Sequence, residues 1–272
     1  MPYATATDGT RLWFKAAGSG PPLLLAHELG SDARQWKGQV DAFSDRWRCI
    51  TPNARGYPPS DVPPADDAYL WDRFAGDIGV VLDAAGAPSA ALMGWSMGAY
   101  AALQYARLHP ERAQALVLVG IGSGSPAADE AGWRTSMAEL SAAWLEDPRL
   151  GALAMSQGLN RQPLRRLNPD AFAAWLADLE GHSPDGMALT CRNYQGRRPS
   201  LQAFEAEFAR LEVPTLIVCG EEDAPCVETS AWLSRTLPNA RLWSPEGLGH
   251  APNLEDPDRF NREVGLFLEA PS

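Results

Sequence analysis

The chain has 272 residues, 45% of them hydrophobic and 21% charged, enough apolar material for a large core in one or two domains. Its 34 acidic residues exceed its 23 basic ones, and the net charge of −11 opposes non-specific binding to nucleic acid or to an anionic membrane surface. Four cysteines, Cys49, Cys191, Cys219 and Cys226, stand without a C-x-x-C pair, so neither a metal centre nor dithiol chemistry is expected, and reduced structural thiols are.

The first residues, Met1 to Gly9, lack the basic and apolar segments of a secretory signal, and no run of about 18 apolar residues follows, so the expectation is a cytoplasmic protein without a membrane span. Arg11 to Ala16, Pro22 to Ala26 and Arg48 to Thr51 read as strands. Tyr69 to Ala85 reads as a helix, with Leu70, Phe74, Ile78, Val81 and Leu82 on the face that should pack on a sheet. Ala90 to Met93 is apolar and is followed by Gly94-Trp95-Ser96-Met97-Gly98 and by a helix-forming stretch reaching His109; Leu116 to Val119 is the next buried strand. Alternation of this kind predicts an α/β fold, a mostly parallel sheet covered by helices on both faces.

Between about Gly124 and Leu211 the rhythm breaks. Apolar residues recur at helical spacing, Trp133, Met137, Leu140 and Trp144 marking one helix and Phe172, Trp175, Leu176 and Leu179 another. Thr215 to Val218 restores the strand pattern, ending at Gly220 with the acidic cluster Glu221-Glu222-Asp223 on the loop beyond it. Such loops, at the carboxyl edge of a parallel sheet, build ligand sites. The strand-like Ala240 to Trp243 leads to Gly247-Leu248-Gly249-His250, a flexible loop able to return an imidazole over the sheet.

Strand, tight turn and helix are the context of a nucleophile elbow, in which a strained turn projects a serine hydroxyl and small flanking residues let strand and helix approach. The alternative for Gly94 to Gly98 is a glycine-rich turn with an N-capping serine. Serine, acid and histidine follow in that chain order, and Pro22 to Gly30 and Asn53 to Asp61 carry two further patterns, so the chain resembles the α/β-hydrolase superfamily over nearly its whole length. The resemblance implies Ser96 as nucleophile, His250 as general base and acid, and Asp223 as the carboxylate orienting it, with Glu221 and Glu222 as weaker candidates. It implies oxyanion donors at the backbone amides of Leu29 and Met97. Residues 125–211 are then a helical cap on a core of residues 1–124 and 212–272.

The activity so implied is that of a cofactor-independent serine hydrolase, a carboxylesterase or lactonase acting on a small or medium uncharged ester or lactone, as a monomer or homodimer. Carbon–carbon bond hydrolases of ring-cleavage products and cofactor-free haloperoxidases resemble the chain equally, and a non-catalytic receptor on the same fold is the alternative of another class. Serine at the nucleophile position argues against the dehalogenase and epoxide hydrolase branches, which use aspartate.

One position departs from the pattern: Glu28 follows His27 where a glycine is usual. Glutamate does not share glycine's freedom at positive φ, so the loop either takes an allowed shape or is strained. Glu28 pointing into the pocket would disfavour anionic substrates; a solvated carboxylate is the expectation. Trp95, Trp133 and Met137 are the other candidate substrate contacts, Trp95 being expected mainly in packing. His27 is expected to organise its loop, His109 to end a helix, His182 to cap or lie at the surface, and the Arg165-Arg166 and Arg197-Arg198 pairs to be solvated. Cys226 is expected as a small packed side chain near the acid. Pro58-Pro59 and Pro63-Pro64 are expected to stiffen one wall of the entrance.

Overall fold

The structure, a computed structural model, describes residues 2–125 and 130–270; residues 126–129, at the start of the expected cap, and the extreme terminal residues lie outside the described residues. Eight strands form one sheet in the order β1-β2-β4-β3-β5-β6-β7-β8. They are β1 (Tyr3–Thr5), β2 (Arg11–Ala17), β3 (Pro22–Ala26), β4 (Arg48–Pro52), β5 (Ala90–Trp95), β6 (Ala113–Val119), β7 (Thr215–Val218) and β8 (Ala240–Trp243). β2 runs antiparallel to β1 and β4, and every pairing from β4 to β8 is parallel. Strands β5 and β7 are buried at every position, which explains why they read as continuous apolar runs. β1 escaped the sequence reading because three residues are too few to display a period.

Helices flank the sheet: α1 (Lys37–Phe43), α2 (Trp71–Ala84) and α3 (Met97–Leu108) before β6, and α10 (Ala224–Thr236), α11 (Pro252–Glu255) and α12 (Pro257–Leu268) after β7. Between β6 and β7 come α4 (Glu130–Glu146), α5 (Pro148–Ser156), α6 (Gln162–Leu167), α7 (Pro169–Glu180), α8 (Pro184–Leu189) and α9 (Glu205–Phe208). The two helices read from the tryptophan spacing are α4 and α7, and Trp144 and Trp175 are fully buried among the inserted helices. α2 buries Phe74, Ile78, Val81 and Leu82, and it starts after Tyr69 because Asp66–Tyr69 forms a 3-10 turn. The same face carries Asp77, whose carboxylate takes two bonds from Arg55, at 2.6 and 2.7 Å, so the loop after β4 is anchored to α2 by a buried ion pair.

The parallel register aligns the carboxyl ends of the strands: Ala26 lies opposite Gly94, Trp95 opposite Val119, and Val119 opposite Val218. The loops after β3, β5, β7 and β8 therefore meet at one edge. The inserted helices reach that edge too, since α8 runs into a π-helical segment, Thr190–Gln195, from which the Tyr194 hydroxyl donates to the Met97 carbonyl at 2.8 Å. Among the described residues, no helix is long and apolar enough to cross a membrane.

Candidate active site

Ser96 joins β5 to α3 with φ +51° and ψ −106°, and it is the only non-glycine residue at positive φ among the described residues. A side-chain-bearing residue in that region is strained and persists only where its surroundings enforce it. The enforcement is visible at the flanking glycines: a Cβ on Gly94 would lie 2.3 Å from the Gly98 carbonyl oxygen, and one on Gly98 would lie 2.2 Å from that of Ala26. The Ser96 amide donates to the Val119 carbonyl at 2.7 Å, locking the turn onto β6. Its hydroxyl makes no capping bond to α3, so the N-cap reading of this serine does not hold. Met97 opens α3, where backbone N–H groups lack intrahelical partners and the helix end is electropositive.

His250 and Asp223 meet across β7 and β8. His250 Nδ1 lies 2.8 Å from Asp223 Oδ2, and both residues are buried. Glu221 and Glu222, by contrast, are exposed. Burial pushes the imidazole down, but the charge and hydrogen bond of Asp223, with the charge of Glu28, outweigh it and leave His250 above its ordinary value. Burial likewise pushes Asp223 up, and the facing histidine more than reverses this. The loop is held from two further directions. Trp95 Nε1 donates to the His250 carbonyl at 2.7 Å, and the Glu255 carboxylate accepts from the Gly249 amide at 2.5 Å and the Ala251 amide at 3.1 Å.

Asp223, Cys226 and His250 each bring a ligand-type atom within 4.8 Å of the others. The Cys226 thiol is buried, which pushes it well above its ordinary value, and its sulfur lies 3.9 Å from His250 Nδ1. It is a neutral thiol packed behind the Asp223–His250 pair rather than a thiolate.

The expectation of a solvated Glu28 is overturned. Glu28 is 1% exposed, and its Oε2 lies 2.6 Å from Arg161 Nη2 and 3.6 Å from His250 Nε2. Its backbone takes an allowed shape, the positive φ of this loop falling on Gly30 at +73°. His27 organises the loop as expected: Nε2 accepts from the Ala54 amide at 2.9 Å, which leaves Nδ1–H to donate to the Glu28 carbonyl at 2.8 Å. Burial holds His27 below its ordinary value, consistent with that neutral tautomer. Arg161, just before α6, was not singled out in the sequence. Its guanidinium sits over Trp175 and Trp95, 4.5 and 5.6 Å from the ring centroids. The only sequence signal was indirect: a carboxylate embedded in an apolar segment requires a cation.

Ser96, His250, Glu28 and Leu29 share a cavity of about 240 Å³ with Trp133, Met137, Leu140, Met155, Arg161 and Arg198 of the inserted segment. Trp133 and Met137 thus line the cavity as expected. Trp95 does not; it is fully buried, with Trp36 edge-on at 6.3 Å, and acts on the site through the His250 carbonyl. Arg198 is buried, not solvated, and donates to the Ser123 carbonyl at 2.5 Å, whereas Arg197 is exposed. His182 is also buried, edge-on to Tyr57 at 5.2 Å, since the end of α7 packs against the loop after β4. His109 does end α3. A larger cleft of about 1060 Å³ lies against β2 and α1, lined by Trp13, Lys15, Pro58 and Pro59, and Pro63-Pro64 border another; neither proline pair walls the Ser96 cavity.

An eight-stranded, mostly parallel sheet with a strained serine between β5 and the next helix, and a histidine–aspartate pair over its carboxyl edge, defines a hydrolase class of the α/β type. A family model described as the alpha/beta hydrolase fold matches residues 21–257, and the chain belongs to that family. It is 32% identical over 255 residues to a putative carbamate hydrolase, RutD, of Pseudomonas savastanoi, covering 92% of this chain and 94% of the relative. It is 28% identical to a 2-hydroxy-6-oxononadienedioate/2-hydroxy-6-oxononatrienedioate hydrolase of Burkholderia vietnamiensis, covering 96% and 92%. Among solved structures it is similar to the esterase RhEst1 of Rhodococcus, with a TM-score of 0.81 at 26% identity, covering 99% and 98% of the two chains.

Proposed function

We propose that the protein is a serine hydrolase that cleaves a small uncharged carboxylic ester or lactone through Ser96, His250 and Asp223. The observation that carries this reading is the enforced positive φ of Ser96 on the wall of the cavity that His250 also lines, with the Nδ1 of that histidine engaged by a buried carboxylate. Neutral His250 takes the Ser96 proton at Nε2 as Oγ bonds to the substrate carbonyl carbon and the π pair moves to oxygen. The amides of Leu29 and Met97 are the donors to that oxyanion, and each donor of this type is worth roughly 10²–10³ in rate. The imidazolium then protonates the leaving oxygen, and water, deprotonated by the same nitrogen, releases the acyl group.

The small cavity volume favours compact substrates, and the pairing of Glu28 with Arg161 leaves no net charge from these two groups to attract an ionic one. Carbamates, the substrate class in the name of a 32% identical relative, present the same acyl carbon and belong in the substrate panel. Hydrolysis of p-nitrophenyl esters, lactones and carbamates by wild type and Ser96→Ala, with intact mass after a serine-directed phosphonate, tests the assignment. Turnover lost by several powers of ten in the variant, with the label on Ser96, supports it; unlabelled protein without turnover moves the receptor reading to the front.

A further inference from the structure

The nitrogen of His250 that must accept the serine proton faces a second carboxylate. Glu28 Oε2 is 3.6 Å from Nε2, and the same oxygen is 2.6 Å from Arg161 Nη2. Glu28 and Arg161 are 1% and 3% exposed, so bulk water screens this triangle less than it would surface charges. Glu28 is not free to swing out, because its carbonyl is held by His27 and its loop lies beneath the inserted helices. The other groups facing His250 do not oppose Glu28. Asp223, from the loop after β7, is committed to Nδ1; Cys226, from α10, is a neutral thiol; Glu255, from α11, accepts the Gly249 and Ala251 amides. Among the described residues, Arg161 is the cation placed against Glu28 on the Nε2 side.

We propose that Arg161 is a positioning residue: by holding the Glu28 carboxylate it limits that carboxylate's pull on a proton at His250 Nε2, the nitrogen that takes the Ser96 proton. This rests on His250 being the general base. Without Arg161, Glu28 stabilises an N–H at Nε2, the imidazole holds its proton to higher pH between two carboxylates, and a smaller fraction of it is available as base for the serine at a given pH. Because Arg161 comes from the inserted segment and Glu28 from the loop after β3, this limit requires the two to be docked.

The test is the pH profile of kcat/KM for wild type, Arg161→Met, Glu28→Gln and the double variant, together with NMR titration of imidazole in histidine-labelled protein, which has four histidines to assign. Arg161→Met is expected to move the acid limb and the His250 titration upward together by about one unit, leaving roughly tenfold less kcat/KM below the limb. Glu28→Gln moves both the other way, the double variant, which also loses the direct repulsion between Arg161 and the imidazolium, falls between Glu28→Gln and wild type, and Arg161→Lys keeps the wild-type limb. A folded Arg161→Met that titrates like wild type overturns the proposal. Should Arg161→Met not fold, Glu28→Gln decides alone, and an unshifted His250 titration in it overturns the proposal equally. The NMR titration reads the triangle whether or not Ser96 proves to be the nucleophile, so failure of this inference and failure of the hydrolase assignment are separable.

Discussion

Trp95 Nε1 donates to the carbonyl oxygen of His250 across 2.7 Å, tying the loop that carries the imidazole to the strand that carries the serine. The two residues are 155 positions apart in the chain, and this bond fixes the loop against the strand. Trp95→Phe keeps most of the ring volume and removes the donor. Leaving a buried acceptor unpaired costs about 1–3 kcal/mol, so thermal unfolding of the variant is expected several degrees lower. Its kcat should fall more than its KM rises, because the imidazole is misplaced while the cavity lining is retained.

Strain at Ser96 separates two substitutions that both remove the hydroxyl. Ser96→Ala keeps a Cβ at φ +51°, whereas Ser96→Gly relieves the cost of about 1–3 kcal/mol attached to such a conformation. Part of the relief is offset by glycine's greater unfolded-state freedom, roughly 0.5–1 kcal/mol. The glycine variant is therefore expected to unfold at higher denaturant concentration than the alanine variant, with both inactive. Equal midpoints would mean that the strain is no larger than glycine's cost of roughly 0.5–1 kcal/mol.

Turnover should depend on neutral His250, so kcat/KM is expected to fall as pH drops through the imidazole pKa, which lies above its ordinary value because of Asp223 and Glu28. In Asp223→Asn the depressing effect of burial loses its main opponent. Activity at neutral pH is expected to drop by roughly 10⁴ through loss of the correct tautomer, while the acid limb of the residual rate moves to lower pH. A pH–rate profile of the variant, measured with an activated ester, checks both the size and the direction.

Stability should carry a separate pH signature from His182, which burial pushes down to about 4. Between the ordinary histidine value and about 4 the unfolded chain binds the additional proton, so this group's contribution is full above the unfolded value and is lost as pH falls through that window. The expected loss is about 3 kcal/mol from this residue. His182→Gln should flatten the decline in urea-unfolding free energy over the same range. An unchanged slope would mean that His182 titrates normally in the folded protein.

The elements and the three central site segments were legible because each is encoded within about ten residues. Apolar runs marked the parallel strands, and the glycines around Ser96 and the glycine-ended strand before Asp223 marked turns whose geometry is local. Trp133 and Met137 were legible as one helical stripe, although which members of the stripe face the cavity was not. Glu28 was legible as an anomaly but not in its consequence, and Arg198 and His182 looked like surface residues because their immediate neighbours are polar.

What the sequence determined by itself was the α/β-hydrolase class, the order of the sheet-forming segments and the residue types brought to the carboxyl edge. What the tertiary structure alone decided was the electrostatic state of the site. Arg161 lies 133 positions from Glu28, and the two become a buried pair only when the inserted segment docks over the loop after β3. Turn geometry follows from backbone sterics within a few residues, whereas the energy of a charge depends on what excludes water from it, and that is supplied by segments far away in the chain.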